Sequence, residues 1–140
     1  MAFTEITFTG GTDGNWAPVH AASMSSKADP DVYILGDASS QGDMPKSGFS
    51  ANSQAKVCAN AVRGDLTGSK VFPAKFSNTC WSLIGTNDGV KVGATYKATA
   101  EKIAKVDGFI SKTGESADIR KATYEESEGW YTGITTDMFS

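Results

Sequence analysis

One histidine, His20, and two cysteines, Cys58 and Cys80, are all this chain offers of the residues that most often bind transition metals. A His-based zinc centre or a Ser-His-Asp triad therefore has almost no material to work with. The cysteines lie too far apart for a CxxC motif, and two of them make no disulfide framework of the small secreted kind. No apolar run approaches the roughly 20 residues that a membrane-spanning helix needs. Basic residues number 13 against 16 acidic ones, giving a net charge of -3, and they are scattered. A concentrated basic face, needed to displace phosphate counterions, is missing, which argues against a nucleic-acid partner. Met1 to Gly10 shows no basic stretch followed by an apolar one, so no signal peptide is expected there. Internal repeats and low-complexity tracts are also lacking.

What remains is ordinary globular material: 140 residues, 39% hydrophobic, enough for one compact domain with a modest core. Glycine is the abundant residue, with 15 copies, which implies many tight turns. Ala2 to Phe8 alternates and reads as a strand, followed by the turn-rich Thr9 to Asn15. That glycine cluster is not read as a phosphate loop, because Trp16-Ala17-Pro18 follows it where a helix N-terminus is required. Asp29-Pro30-Asp31 signals a turn, and the short apolar run Val32 to Leu35 reads as a buried strand ending at Gly36-Asp37.

The best helix begins after Pro45, with Ser47 or Ser50 as N-cap. Ala51, Ala55, Cys58, Ala59, Val62 and Leu66 recur at spacings of three and four, which predicts the buried face; Gly64 and Gly68 are stop signals. After Pro73 the pattern turns to β, with strands predicted over Thr79 to Ile84, Val90 to Ala98 and Lys102 to Ile110. In the second, Val90, Val92, Ala94 and Tyr96 alternate with more polar positions, as in an antiparallel strand with one wet face. Gly85 to Gly89 reads as a five-residue hairpin connection. The tail from about Ser116 is predicted to be partly helical, with Trp130, Tyr131, Ile134 and Met138 on one face, although Gly129 and Gly133 weaken it. The fold class expected is α+β: a short parallel-type strand leading to a helix, then an antiparallel sheet and a C-terminal helical segment.

The sharpest local signal is Val32-Tyr33-Ile34-Leu35-Gly36-Asp37-Ala38. A strand that delivers an acid at its C-terminal end places it where ligands bind in sheets of this kind. On the dipeptide alone, Gly36-Asp37 is a turn after a strand. The ligand reading comes from its neighbours. Gly36-Asp37-Ala38 followed by Met44-Pro45-Lys46-Ser47-Gly48-Phe49-Ser50-Ala51-Asn52-Ser53-Gln54-Ala55-Lys56-Val57 closely resembles the flavocytochrome c sulphide dehydrogenases. Trp16-Ala17-Pro18-Val19 is similar to that family's Trp-Cys-Pro-Val, with alanine for cysteine. Asn78-Thr79-Cys80-Trp81-Ser82-Leu83 and Trp130 to Phe139 resemble later segments, in order, so the likeness runs over nearly the whole chain.

The resemblance implies that Gly36 and Asp37 meet the ribityl or pyrophosphate side of FAD, and that the helix starting near Ser47 and Gly48 aims its N-terminus at the flavin pyrimidine. A helix N-terminus carries about half a positive charge, which stabilises the anion formed on flavin reduction. Lys46 either adds charge there or is a solvated lysine at the helix start. Cys80 aligns with half of the family's redox disulfide, which sulphide attacks; by itself it is a strand cysteine. Cys58, on the apolar helix face, reads as a small buried hydrophobe. Trp130 resembles a tryptophan near the flavin, and by itself is a core aromatic.

The family's GxGxxG unit, its flavin-tethering cysteine and the second disulfide cysteine have no counterpart in these residues. The resemblance thus implies a C-terminal portion, with residues 1–68 a remnant of the FAD-binding domain and 69–140 the C-terminal flavin-binding or interface domain. The intact parent would be periplasmic and would pass electrons from sulphide through FAD to cytochrome c. This chain alone is expected to bind FAD weakly and not to turn over. Its expected partners are the N-terminal part of the flavoprotein or the cytochrome c subunit. The alternative is a stand-alone, non-enzymatic domain that self-associates through former interior surface.

Overall fold

The structure is a computed structural model and describes residues 16–139. The expected strand over Ala2 to Phe8 and the glycine-rich turn after it lie outside the described residues. In chain order the elements are β1 (Ala17–Pro18), a 3-10 turn (Gly36–Ala38), β2 (Ser39–Ser40), α1 (Gly48–Thr67), β3 (Lys75–Gly85), β4 (Asp88–Ala98), β5 (Ile103–Ile110) and α2 (Ala117–Phe139). β1 pairs in parallel with β2, Ala17 opposite Ser39, while β3, β4 and β5 form an antiparallel sheet in that order. The α+β class expected from the sequence is the class observed.

The described chain divides into two compact units, residues 16–78 with 95–107, and residues 79–94 with 108–139. In the first, Met24, Met44, Val57, Ala61, Phe76 and Ile103 are buried. The loop before α1 is pressed onto β5. A Cβ at Gly42 would stand 2.5 Å from the Ile103 carbonyl oxygen, and the Asp43 N–H donates to that same oxygen at 2.9 Å. Lys102 pairs with Asp43 at 2.5 Å and holds its carboxyl below the usual carboxylate range, helped by the Lys105 N–H.

α1 starts as the sequence allows and packs differently. Ser47 is the N-cap: its backbone is extended and its hydroxyl accepts from the Ser50 N–H at 3.1 Å. Gly68 ends the helix in the left-handed conformation, its N–H returned to the Gly64 carbonyl at 2.8 Å. Gly64 is not a stop but a contact point, since a Cβ there would lie 2.2 Å from a Val71 methyl. The buried face is Ser50, Gln54, Val57, Cys58, Ala61 and Gly64, whereas Ala59 is exposed and Leu66 is 80% exposed. The apolar stripe predicted through Ala51, Ala55 and Leu66 is therefore rotated, because two polar side chains sink inward against hydrogen-bonding partners.

Two further expectations are corrected. Val32 to Leu35 is no strand: Tyr33 makes one isolated bridge to Ser25, and the run is only half-buried. The Ile34 N–H donates to the Met24 carbonyl at 2.9 Å and the Val32 carbonyl accepts from the Ser26 N–H at 2.7 Å, but this pairing is confined to one bridge. The β3–β4 hairpin turns on two residues, Thr86 and Asn87, not five, with Asn87 at φ 58. Asparagine tolerates that conformation, so both strands extend further toward the turn than the glycines suggest.

In the second unit α2 lies against β4 at Gly89. A Cβ on Gly89 would meet the Tyr124 backbone nitrogen at 2.9 Å and its Cα at 3.1 Å. Arg120 pairs with Asp88 at 2.5 Å and Lys91 pairs with Glu126, fastening the same two elements on either side of the contact. α2 runs unbroken through Gly129 and Gly133. Thr123 is its buried residue, and Tyr131 and Met138 of the predicted apolar face are exposed.

Candidate functional site

Gly36 makes the Gly-Asp turn possible, with φ at +70, where a side chain is strained. The turn it starts is a 3-10 helix whose middle residue, Asp37, is exposed. Its backbone polar groups are taken up from within. The Gly36 N–H donates to Gln54 Oε1 on α1 at 2.7 Å, and the Gly36 carbonyl accepts from the Ser39 hydroxyl at 2.9 Å. Lys46 Nζ donates to the Asp37 carbonyl at 2.6 Å and to the Ser39 carbonyl at 3.0 Å, and stands 3.8 Å from the centroid of the Trp16 ring. Lys46 is thus not a freely solvated lysine; it braces the turn.

The N-terminus of α1 is fixed from the other side. Asn78 on β3, 3% exposed, accepts through Oδ1 from the Ser47 hydroxyl at 2.6 Å and from the Ser50 hydroxyl at 3.0 Å. The first turn contains no acid to neutralise the helix dipole, and Gly48 is exposed with nothing within 4 Å of where a Cβ would be. Asp37 and the α1 N-terminus therefore belong to one hydrogen-bonded assembly, joined through Gln54, with open space in front of Gly48. An electronegative ring edge approaching Gly48 meets the positive helix end, and a hydroxyl-bearing chain meets the Asp37 carboxylate. Those are the demands of a flavin's pyrimidine edge and its ribityl chain, and the residues fit that part of the group.

Cys80 lies on β3, two residues beyond Asn78, and is half-buried; Cys58 is buried, and burial pushes its thiol above the usual value. No disulfide occurs among the described residues. Trp81, next to Cys80, stacks against Trp130 of α2, the ring centroids 5.7 Å apart and tilted by 32°. Successive residues of a strand point to opposite sides, so Cys80 leaves β3 on the side away from the Trp81–Trp130 pair. Sequence reasoning missed Gln54, Asn78 and Ser39 as the residues that hold the site. Their only sequence signal was polarity on positions that periodicity assigned to the wet face or to a strand.

No group of three or more His, Cys, Asp or Glu residues suited to a metal occurs among the described residues, and none of their helices is long and apolar enough to cross a membrane. Residues 73–139 match the family described as flavocytochrome c sulphide dehydrogenase, flavin-binding. Over these residues, just under half of its length, the chain is similar to the flavin-binding part of that family's flavoprotein. The matched segment contains Cys80, Trp81 and Trp130; the Gly36-Asp37 turn and α1 precede it.

Proposed function

We propose that this chain supplies one wall of the flavin site of a sulphide-oxidising flavoprotein and is inactive without the remainder. In this reading residues 1–68 complete the FAD-binding domain and residues 69–140 form the C-terminal domain. The observation that carries it is the joining of Asp37 and the α1 N-terminus by Gln54 and Lys46. Bound FAD supplies two-electron acceptance from a sulphur donor and one-electron delivery to a haem. The chain's own part is to accept hydroxyl hydrogen bonds at Asp37, to face the pyrimidine edge with the amides of α1 near Gly48, and to contribute the Cys80 thiol. Oxidised, Cys80 pairs with a cysteine from the rest of the flavoprotein. Hydrosulphide opens that bond, one sulphur keeping the added sulphur as a persulphide and the other leaving as thiolate.

One wall makes a minority of the contacts while the whole cofactor must be immobilised, so the chain alone holds FAD weakly. Incubation with excess FAD, then gel filtration and an absorbance spectrum, tests this: the protein peak is expected to be colourless. A stoichiometric yellow peak, lost on Asp37→Ala, would instead mean that the chain assembles a complete flavin site.

A second reading, a self-associating non-enzymatic domain, is favoured by one observation. Leu83 and Ile84 at the end of β3, and Phe109 and Ile110 at the end of β5, are all about half exposed or more. Apolar side chains gathered at strand ends favour a covering partner. Sedimentation distinguishes the readings: a concentration-independent dimer favours self-association, and a monomer favours a missing complement.

A further inference from the structure

Gln54 is completely buried in the middle of α1, a place that leucine or methionine fills at no polar cost. Its carboxamide is fully used. Oε1 accepts the Gly36 N–H at 2.7 Å, and Nε2 donates to Gln41 Oε1 at 2.8 Å and contacts the Met44 sulphur at 3.8 Å. Gln41, 4% exposed, is itself fixed by donating from Nε2 to the Met44 carbonyl at 3.2 Å. Two buried amides in series therefore tie the turn before β2, the loop before α1 and the helix into one unit. A buried network in which every member is bonded gives one geometry where an apolar core tolerates several.

We infer that Gln54 is the positioning residue that sets the Asp37 carboxylate relative to the α1 N-terminus, and so the spacing between the two parts of the wall that meet FAD. Gly36 is the hinge point. Its conformation needs no side chain, and without a partner for its N–H the turn loses its hydrogen bond to α1 and keeps only packing contact near Ala51 to fix its rotation. The Gln54 oxygen supplies that contact from the helix whose first turn faces the ligand. The Lys46 brace acts at the carbonyl end of the turn and leaves the Gly36 N–H untouched. The inference rests on the flavin reading above.

The test uses the whole chain, isotopically labelled, with FAD at millimolar excess, where weak contacts still move amide resonances. FAD is expected to shift Gly36, Asp37 and the amides around Gly48 together. Gln54→Met, close in volume, is expected to stay folded, keep the shifts around Gly48, lose those at Gly36 and Asp37, and bind FAD about tenfold more weakly, the effect of one charge-independent hydrogen bond and its orienting role. Gln54→Glu keeps an oxygen for the Gly36 N–H and is expected to recover part of the lost shifts, which a purely packing role does not give. Equal shifts and affinity in Gln54→Met and the parent overturn the inference and leave the flavin reading standing. A parent chain whose Gly36, Asp37 and Gly48 amides all ignore FAD overturns both. If Gln54→Met loses its dispersed spectrum, Gln41→Met replaces it. That change frees the Gln54 Nε2 and the Met44 carbonyl but leaves Oε1 on the Gly36 N–H, and it is expected to weaken FAD binding two- to threefold with the Gly36 shift reduced; unchanged affinity there overturns the inference.

Discussion

The Ser47 hydroxyl donates to Asn78 Oδ1 at 2.6 Å while accepting the Ser50 N–H, so a single side chain both caps α1 and anchors it to β3. Asn78 Oδ1 also receives the Ser50 hydroxyl, which is 0% exposed. The first turn of the helix is thereby fixed to β3 at Asn78.

Replacing Asn78 by leucine leaves two buried or half-buried hydroxyls without their acceptor. Each such loss costs about 1–3 kcal/mol, so Asn78→Leu is expected to destabilise the chain by about 2–4 kcal/mol. Urea denaturation measures it. A loss below about 0.5 kcal/mol, the range of ordinary surface changes, would show that the anchor is not energetically important.

The contact between α2 and β4 depends on Gly89 having no side chain. Gly89→Ala sets a methyl against the Tyr124 backbone and is expected to cost about 1–3 kcal/mol, as overpacking does. Gly129, on the same helix with nothing within 4 Å, behaves oppositely. Gly129→Ala is expected to stabilise by about 0.5–1 kcal/mol through helix propensity. Thermal melts of the pair check both signs in one background.

Tyr33 donates its hydroxyl to Asp65, and that hydrogen bond is the main cause of a pKa pushed from 10.0 up to about 12. The folded chain holds this proton more tightly than the unfolded one. Its stabilising contribution is complete below pH 10 and is lost as pH rises from 10 through about 12. Tyrosinate absorbance against pH is expected to show a late-titrating phenol that disappears in Tyr33→Phe and returns toward the ordinary range in Asp65→Asn.

The two thiols are expected to differ in accessibility. Cys80 is half-buried, whereas Cys58 is 8% exposed with its thiol pushed up by burial, both of which slow attack by a disulfide reagent. A native-state thiol titration is expected to show Cys80 reacting first and Cys58 only on unfolding. The order is checked with Cys80→Ser, which removes the early phase.

The elements were legible where a local rule suffices. Ser47 before small apolar residues spaced by three and four, Gly68 after them, and alternation through Ala94 and Tyr96 mark α1 and β4 from the residue pattern alone. The packing was not legible where polarity is satisfied at a distance. Ser50 reads as a cap candidate and Gln54 as solvent-facing, and both are buried because Asn78 and Gly36, far along the chain, supply their partners. The run from Val32 to Leu35 differs for another reason: apolar residues suggested a buried strand, but its pairing with residues 24–26 amounts to one isolated bridge and its side chains are only half-buried. Lys46 shows a third kind of gap, since the sequence left it between added charge and a solvated lysine and gave no sign of its bonds to the Asp37 and Ser39 carbonyls.

The central claim is that this chain is one wall of a flavin site completed by a dinucleotide-binding polypeptide. The most direct measurement is the visible absorbance of the chain gel-filtered after incubation with FAD, alone and together with such a polypeptide from the same flavoprotein. Flavin absorbance is expected only in the joint complex, diminished by Asp37→Ala. Stoichiometric flavin on the chain alone, or none on the joint complex, would contradict it.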